Sequence, residues 1–240
     1  MDKKIFNRYN FPKSLQGGNS GRSLSSNANI HFGKKNVAHF DIKSFFPSIS
    51  PKRVYETFIN LGSSPDVARL LTRLVTAQGH LPQGFITSPK MSALVLLSLD
   101  KRLVKLFKKF GLKHSFWIDD LCISGSFPID KLYKIIERIF KQEGFTINPL
   151  KIDYKYSNKR QVVTGVIVNK KPDLAREKRK YLEKILYICK KYGLDNFLNK
   201  SGHDQSFIKS FTGELSYAVS INPIKYRPLL EEWKSICNSS

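Results

Sequence analysis

Asp41 closes the apolar run Val37-Ala38-His39-Phe40, and Asp119-Asp120 sit between Phe116-Trp117-Ile118 and Leu121-Cys122-Ile123. Carboxylates beside Val, Phe, Trp and Ile are costly to bury unless a cation neutralises them. One acid at a strand end and two in a tight turn form a minimal cage for two divalent ions clamping a triphosphate. Nucleotidyl transfer is the chemistry this predicts, with a primer 3′-hydroxyl activated and the departing pyrophosphate stabilised. Asp41 and Asp119 are expected to bridge the ions, and Asp120 to be the weaker or outer ligand. Two Mg²⁺ ions are expected, and Mn²⁺ suits the same oxygen donors. An isolated Asp-Asp pair reads as a solvated turn; the apolar flanks of all three acids argue for metal.

Further residues are placed around that centre. A bulky ring five residues after Asp41 could lie under the incoming sugar and exclude a 2′-hydroxyl, which singles out Phe46 over Phe45. In Leu81-Pro82-Gln83-Gly84 with Thr87-Ser88-Pro89, Gln83 could hydrogen-bond sugar or base, and Gly84 lets backbone approach nucleic acid closely. Lys151, after Asn148-Pro149-Leu150, could act as general acid or counter-charge to pyrophosphate. The basic stretch with Arg176 and Arg179 could track phosphates, and Tyr181 and Tyr187 could stack bases or simply pack. Arg22, within Gly17-Gly18-Asn19-Ser20-Gly21-Arg22-Ser23, belongs to either a flexible leader or a phosphate-contacting loop.

These residues need a scaffold, and the pattern around them supplies one. Val37 to Ile42 reads as a strand, as do Lys113 to Ile118 and Leu121 to Ser124. Helices are predicted from Ser50-Pro51, from Ser64-Pro65 with Val67, Leu70, Leu71, Leu74 and Val75 in period, and from Ser88-Pro89 to about Phe110. Pro128 to Gly144 reads as helix, Gln161 to Val168 as a hairpin, and Asp173 to Tyr192 as a basic helix; two more helices, broken at Asn222-Pro223, follow. Residues 12–36 read as irregular backbone. No regular βαβ rhythm appears, so an α+β fold is expected, with an antiparallel sheet carrying the acids and helices behind it.

Composition sets the partners. The formal charge is +22, from 41 Lys and Arg against 19 Asp and Glu, spread along 240 residues, which predicts a polyanion-binding surface. The run Met91 to Leu99 is far short of the roughly 20 apolar residues of a membrane span. Met1 to Arg8 lack the apolar block of a signal peptide. Cys122, Cys189 and Cys237 have no ligand spacing and read as buried reduced thiols, so a cytoplasmic protein without a membrane partner is expected. His39, His80, His114 and His203 read as polar packing, as does His31 unless its place near the basic loop gives it a further role.

Taken in order, the motifs resemble those of bacterial reverse transcriptases, and among them the retron and retron-like defence group. Gly21-Arg22-Ser23, Asn27-Ala28 and His31-Phe32-Gly33 are similar to the segment before the first catalytic Asp, and Asp41-Ile42-Lys43-Ser44-Phe45-Phe46-Pro47-Ser48-Ile49 to the first catalytic motif. Leu81-Pro82-Gln83-Gly84 resembles the motif contacting nucleotide and template. Asp119-Asp120 resembles the paired acids, Asn148 with Lys151 the motif after them, and Val163-Thr164-Gly165 the retron triplet. Phe211-Thr212-Gly213-Glu214 and Ile221-Asn222-Pro223 resemble the thumb-like end.

The resemblance implies a right-hand fold, with residues 1–36 as a fingers remnant, 37–170 as palm and 171–240 as helical thumb. It implies RNA-directed DNA polymerisation in anti-phage defence, with an RNA template, dNTPs and a DNA product, and Ile42 among the nucleotide contacts. An effector protein, or a separate chain bearing fingers, is a further implied partner. Trp117-Ile118 stands where the family has Tyr-Ala; Trp117 keeps a flat apolar surface for the primer end, while Ile118 is bulkier. The rival readings are a catalytically impaired RNA-binding protein that keeps the fold, and an RNA-templated polymerase making RNA.

Overall fold

Strand β1 (Asn36–Asp41) sits inside a four-stranded antiparallel sheet ordered β2-β3-β1-β4, with β2 (Lys113–Trp117), β3 (Asp120–Gly125) and β4 (Asp153–Tyr156). The structure is a computed structural model and describes residues 6 and 9–238. Residues 1–5, 7 and 8, which carry part of the expected fingers remnant and of the signal-peptide argument, lie outside the described residues.

Period-two alternation gives the sheet its two faces. Ala38 and Phe40 on β1, with Leu121 and Ile123 on β3 and Phe116 on β2, face a core shared with helices α3 (Pro51–Asn60), α6 (Leu97–Lys109) and α7 (Tyr133–Gln142). Val37 and Cys122 face the other way, into a second core. That core is built on a small sheet, β5 (Val162–Val163), β6 (Val166–Ile167) and β7 (Asp173–Leu174), and on helices α8 (Arg176–Tyr192), α9 (Leu194–Ser201), α10 (Ser206–Ile221) and α11 (Pro223–Asn238). Among the described residues no helix is long and apolar enough to cross a membrane. Cys122 and Cys189 are buried and Cys237 is partly buried, all as free thiols.

Four local expectations are corrected. Leu24–His31, within the stretch read as irregular, is helix α1, opened by a capping box in which Ser23 and Ser26 bond reciprocally. In α4 (Pro65–Val75) the buried stripe is Ala68, Leu71, Thr72 and Val75, whereas Val67, Leu70 and Leu74 are exposed. The helix expected from Ser88 is two: α5 (Ser88–Val95) turns at Leu96 before α6. Asp173 belongs to β7 rather than to the following helix. Its carboxylate accepts from Lys225 Nζ and Tyr226 Oη. These bonds hold its pKa below the ordinary carboxylate value, although burial opposes them.

The helical region closes on Trp233, fully buried, whose Nε1–H donates to Thr212 Oγ1 at 2.8 Å. Thr212→Val keeps the shape but strands that donor. Chemical denaturation should show a loss of about 1–3 kcal/mol.

Candidate active site

The register of β1 against β3 sets Asp41 directly opposite Asp120, and that of β2 against β3 sets Trp117 opposite Asp120. Paired residues share a face, so both acids and Trp117 lie together at one end of the sheet. Only Ile118 and Asp119 join β2 to β3. Ile118 takes φ +61°, a left-handed conformation that a β-branched residue adopts only under constraint.

A two-residue hairpin loop supplies that constraint, since its turn demands a positive φ at the first position, and the preceding chain packs against it. Ser14 to Gly17 lies against the edge of β2, with Phe116 N–H donating to Ser14 O at 2.7 Å and Gln16 N–H to Phe116 O at 2.9 Å. A Cβ on Gly17 would lie 2.4 Å from Ile118 N and 2.6 Å from its Cγ1. One on Gly18 would meet Pro89 at 2.2 Å. The two glycines therefore thread between the aspartate turn and the start of α5.

Backbone bonds fix the acids from the other side. Ile42 N–H donates to Asp119 O at 3.0 Å, and Asn148 N–H donates to Asp41 O at 2.8 Å. Asn148 also caps the short 3₁₀ turn Pro149–Lys151, its Oδ1 accepting from Leu150 N–H at 3.2 Å. That turn delivers Lys151 Nζ to 2.9 Å from Asp41 Oδ2. The hydrogen bond and the charge of Asp41 raise the lysine's pKa.

Asp119 titrates above its ordinary value, chiefly through burial, with Asp41 and Asp120 adding repulsion against a backbone hydrogen bond that works the other way. Crowded like charges at a half-buried turn are what a divalent cation relieves, and carboxylate oxygens are the donors Mg²⁺ or Mn²⁺ takes. The residues fit such ions in type, at one end of the sheet. Among the described residues, however, no three His, Cys, Asp or Glu side chains are already gathered in coordinating reach. Asp41 is turned to Lys151. Asp120 is turned to His39, whose Nδ1 lies 3.2 and 3.1 Å from its two carboxylate oxygens.

His39, read from sequence as packing, is therefore the site residue that reading missed. Its Nε2 lies 3.0 Å from Val162 O on β5, and Cys122 Sγ is 3.9 Å away. A carboxylate and a carbonyl only accept, so both ring nitrogens must donate. Burial disfavours the charged ring, but the Cys122 sulfur and Asp120 outweigh it and raise its pKa to about 11. The available signal was position: His39 stands two residues before Asp41, on the same strand face.

The other predicted residues divide. Phe46 is half-buried and packs on Phe45 at 5.5 Å, while Phe45 is buried against Phe145. Gln83 and Gly84 are exposed in the loop before α5, with Gly84 at φ +91°, and Leu81 N–H bonding Ile49 O at 2.9 Å ties that loop to the Phe46 segment. The Ile42 side chain is 1% exposed and belongs to the core, so the nucleotide contact expected of it has no side-chain surface here. Arg22 lines a cavity of about 130 Å³ with Asn19 and Lys90. Arg176 is exposed at the start of α8, and Arg179 lies 3.7 Å from Glu183. No hydrogen bond or ion pair among the described residues joins these three arginines to the aspartates.

An antiparallel sheet carrying acids at one end and backed by helices is the palm architecture of right-hand polymerases, and the comparisons agree. The family model described as reverse transcriptase (RNA-dependent DNA polymerase) matches residues 2–195, and the chain belongs to that family. Its relatives include retron enzymes. Retron Se72 reverse transcriptase of Salmonella heidelberg (strain 579083-10) is 32% identical over 97% of this chain and 64% of its own. Retron Mx65 reverse transcriptase of Myxococcus xanthus is 34% identical over 70% of this chain and 44% of its own. The chain thus spans less than two thirds of either relative. Telomerase from Candida albicans, in complex with the TWJ fragment of telomeric RNA, shares the fold with TM-score 0.51 and 12% identity, over 99% of this chain and 47% of that one.

Proposed function

We propose that the chain is the catalytic part of an RNA-directed DNA polymerase, with residues 37–170 as palm and 171–240 as thumb. The observation carrying this reading is the register that pairs Asp41 with Asp120, beside the Asp119 turn and with Lys151 on Asp41. Two bound divalent ions would supply Lewis-acid activation of the attacking hydroxyl and charge stabilisation at the departing phosphates. Asp41 and Asp119 would hold them, and Asp120 would support from outside. Lys151, protonated and 2.9 Å from Asp41, offers positive charge or a proton where pyrophosphate leaves. Trp117, beside Asp120, presents the apolar surface on which the primer end rests. Gln83 and Gly84, exposed at the tip of their loop, meet the nucleotide and the template. The +22 charge binds the RNA–DNA duplex through phosphates, with Arg22, Arg176 and Arg179 among the contacts.

Primer extension on RNA, with dNTPs or NTPs and Mg²⁺, tests this directly. Extension by dNTPs supports it. Salt-sensitive RNA binding without extension would favour an RNA-binding protein on a polymerase fold, and extension by NTPs an RNA-making enzyme.

The half-buried Phe46 ring is the sugar gate in this reading. Phe46→Ala should admit ribonucleotides, raising their kcat/KM relative to dNTPs by at least about tenfold, a difference of about 1.4 kcal/mol. Unchanged discrimination would clear Phe46 of that role.

A further inference from the structure

We propose that His39 is a positioning residue for Asp120: it holds that carboxylate off the metal site and tethers it to the β5–β6 hairpin. The inference rests on the polymerase reading and adds a residue to it. Nδ1 lies within 3.2 Å of both Asp120 oxygens, while Nε2 reaches Val162 O at 3.0 Å. One ring thus spans β1, β3 and β5. Asp120 cannot turn its oxygens fully toward Asp41 without giving up those bonds, so a cation entering the site meets Asp41 and Asp119 first.

The hairpin end of this tether is itself anchored. Thr164, in the β5–β6 turn at φ +47°, donates from Oγ1 to Leu24 O at 3.0 Å, which docks the hairpin on α1. Helix α1 in turn packs on the same sheet face through His31, whose ring nitrogens lie 2.8 Å from Ser124 and from Ser115. Val163-Thr164-Gly165 reads in the sequence as part of a hairpin and, by resemblance, as the retron triplet. Here that triplet follows Val162, the residue whose carbonyl accepts from His39. The hairpin's position is thereby transmitted to an acid of the site through one imidazole.

Removing His39 should free Asp120 to become a full ligand. In His39→Gln, and in His39→Leu, Mn²⁺ should bind the protein without nucleic acid about tenfold more tightly, measured by electron paramagnetic resonance. The kcat for dNTP incorporation should fall about tenfold with KM for dNTP unchanged, because Asp120 no longer keeps its place. In an Asp120→Asn background the same substitutions should leave Mn²⁺ affinity unchanged, because their effect runs through Asp120.

Equal Mn²⁺ shifts in both backgrounds, or no tightening in the parent background, would overturn the positioning role while leaving the polymerase reading intact. A parent protein that neither binds Mn²⁺ nor extends a primer would end both. If His39→Leu fails to fold, His39→Gln, which keeps a polar head of similar reach, carries the comparison.

Discussion

Asp119→Asn should abolish nucleotide incorporation, lowering the rate at least about a thousandfold, while RNA binding and folding survive. The size follows from what the carboxylate supports: metal-assisted charge stabilisation is worth several kcal/mol, and each 1.36 kcal/mol is tenfold. Survival of the fold follows from the sign of its pKa shift. Asp119 is raised in the folded state by burial and by Asp41 and Asp120, against its backbone hydrogen bond. The folded chain therefore holds that proton more tightly than the unfolded one, and stability falls as pH rises through the interval between the two pKa values. Asn carries no such penalty, so at neutral pH the variant should melt no lower than the parent. RNA affinity, set by 41 Lys and Arg, should be nearly unchanged. Incorporation at parent rates would refute the assignment of Asp119; loss of activity together with a collapsed melting temperature would refute the account of its burial.

Gly17→Ala is the second large effect, and it comes from outside the acids. A methyl there would sit 2.4 Å from Ile118 N, a backbone atom that cannot swing away. Either the Ser14–Gly17 segment leaves the edge of β2 or the Ile118-Asp119 turn shifts. A displacement of about 1 Å in a reacting constellation can cost about a hundredfold in rate, and that loss is expected here with KM little changed. The steric strain should cost about 1–3 kcal/mol of stability. Gly213→Ala, on α10 with nothing within 4 Å of the new methyl, is the control and should be neutral or slightly stabilising. Parent-level activity in Gly17→Ala would show that the leading segment does not brace the aspartate turn.

The contrast between Asp119 and Gly17 marks what a sequence displays. Strands β1, β2 and β3 were legible because each acid interrupts or ends an apolar run, and the antiparallel α+β architecture followed from the missing βαβ rhythm. Lys151 follows Asn148-Pro149 in the sequence, but the cap and 3₁₀ turn that carry its Nζ to Asp41 appear only in the structure. Helix α1 was not, because it buries Asn27 and His31 beside Ala28 and shows no apolar period. In α4 two stripes compete: Leu70 and Leu74 carry more apolar surface than Ala68 and Thr72, yet the smaller residues approach the core. The turn at Leu96 carries neither Gly nor Pro to announce it. His39 and Gly17 were illegible for one shared reason. Each acts on a partner about 80 to 100 residues away, Asp120 and Ile118, and only the register brings them together. The nucleotide contact that the resemblance implies at Ile42 finds no side-chain surface, because strand alternation turns that side chain into the core.

Polymerase chemistry at this end of the sheet requires Asp41 and Asp119 to share divalent ions there. Anomalous diffraction from crystals grown with Mn²⁺, an RNA–DNA primer-template and dNTP tests it most directly. The expected map has manganese peaks bonded to carboxylate oxygens of both Asp41 and Asp119, with Asp120 still facing His39. Manganese bound elsewhere, or reaching neither aspartate, would contradict it.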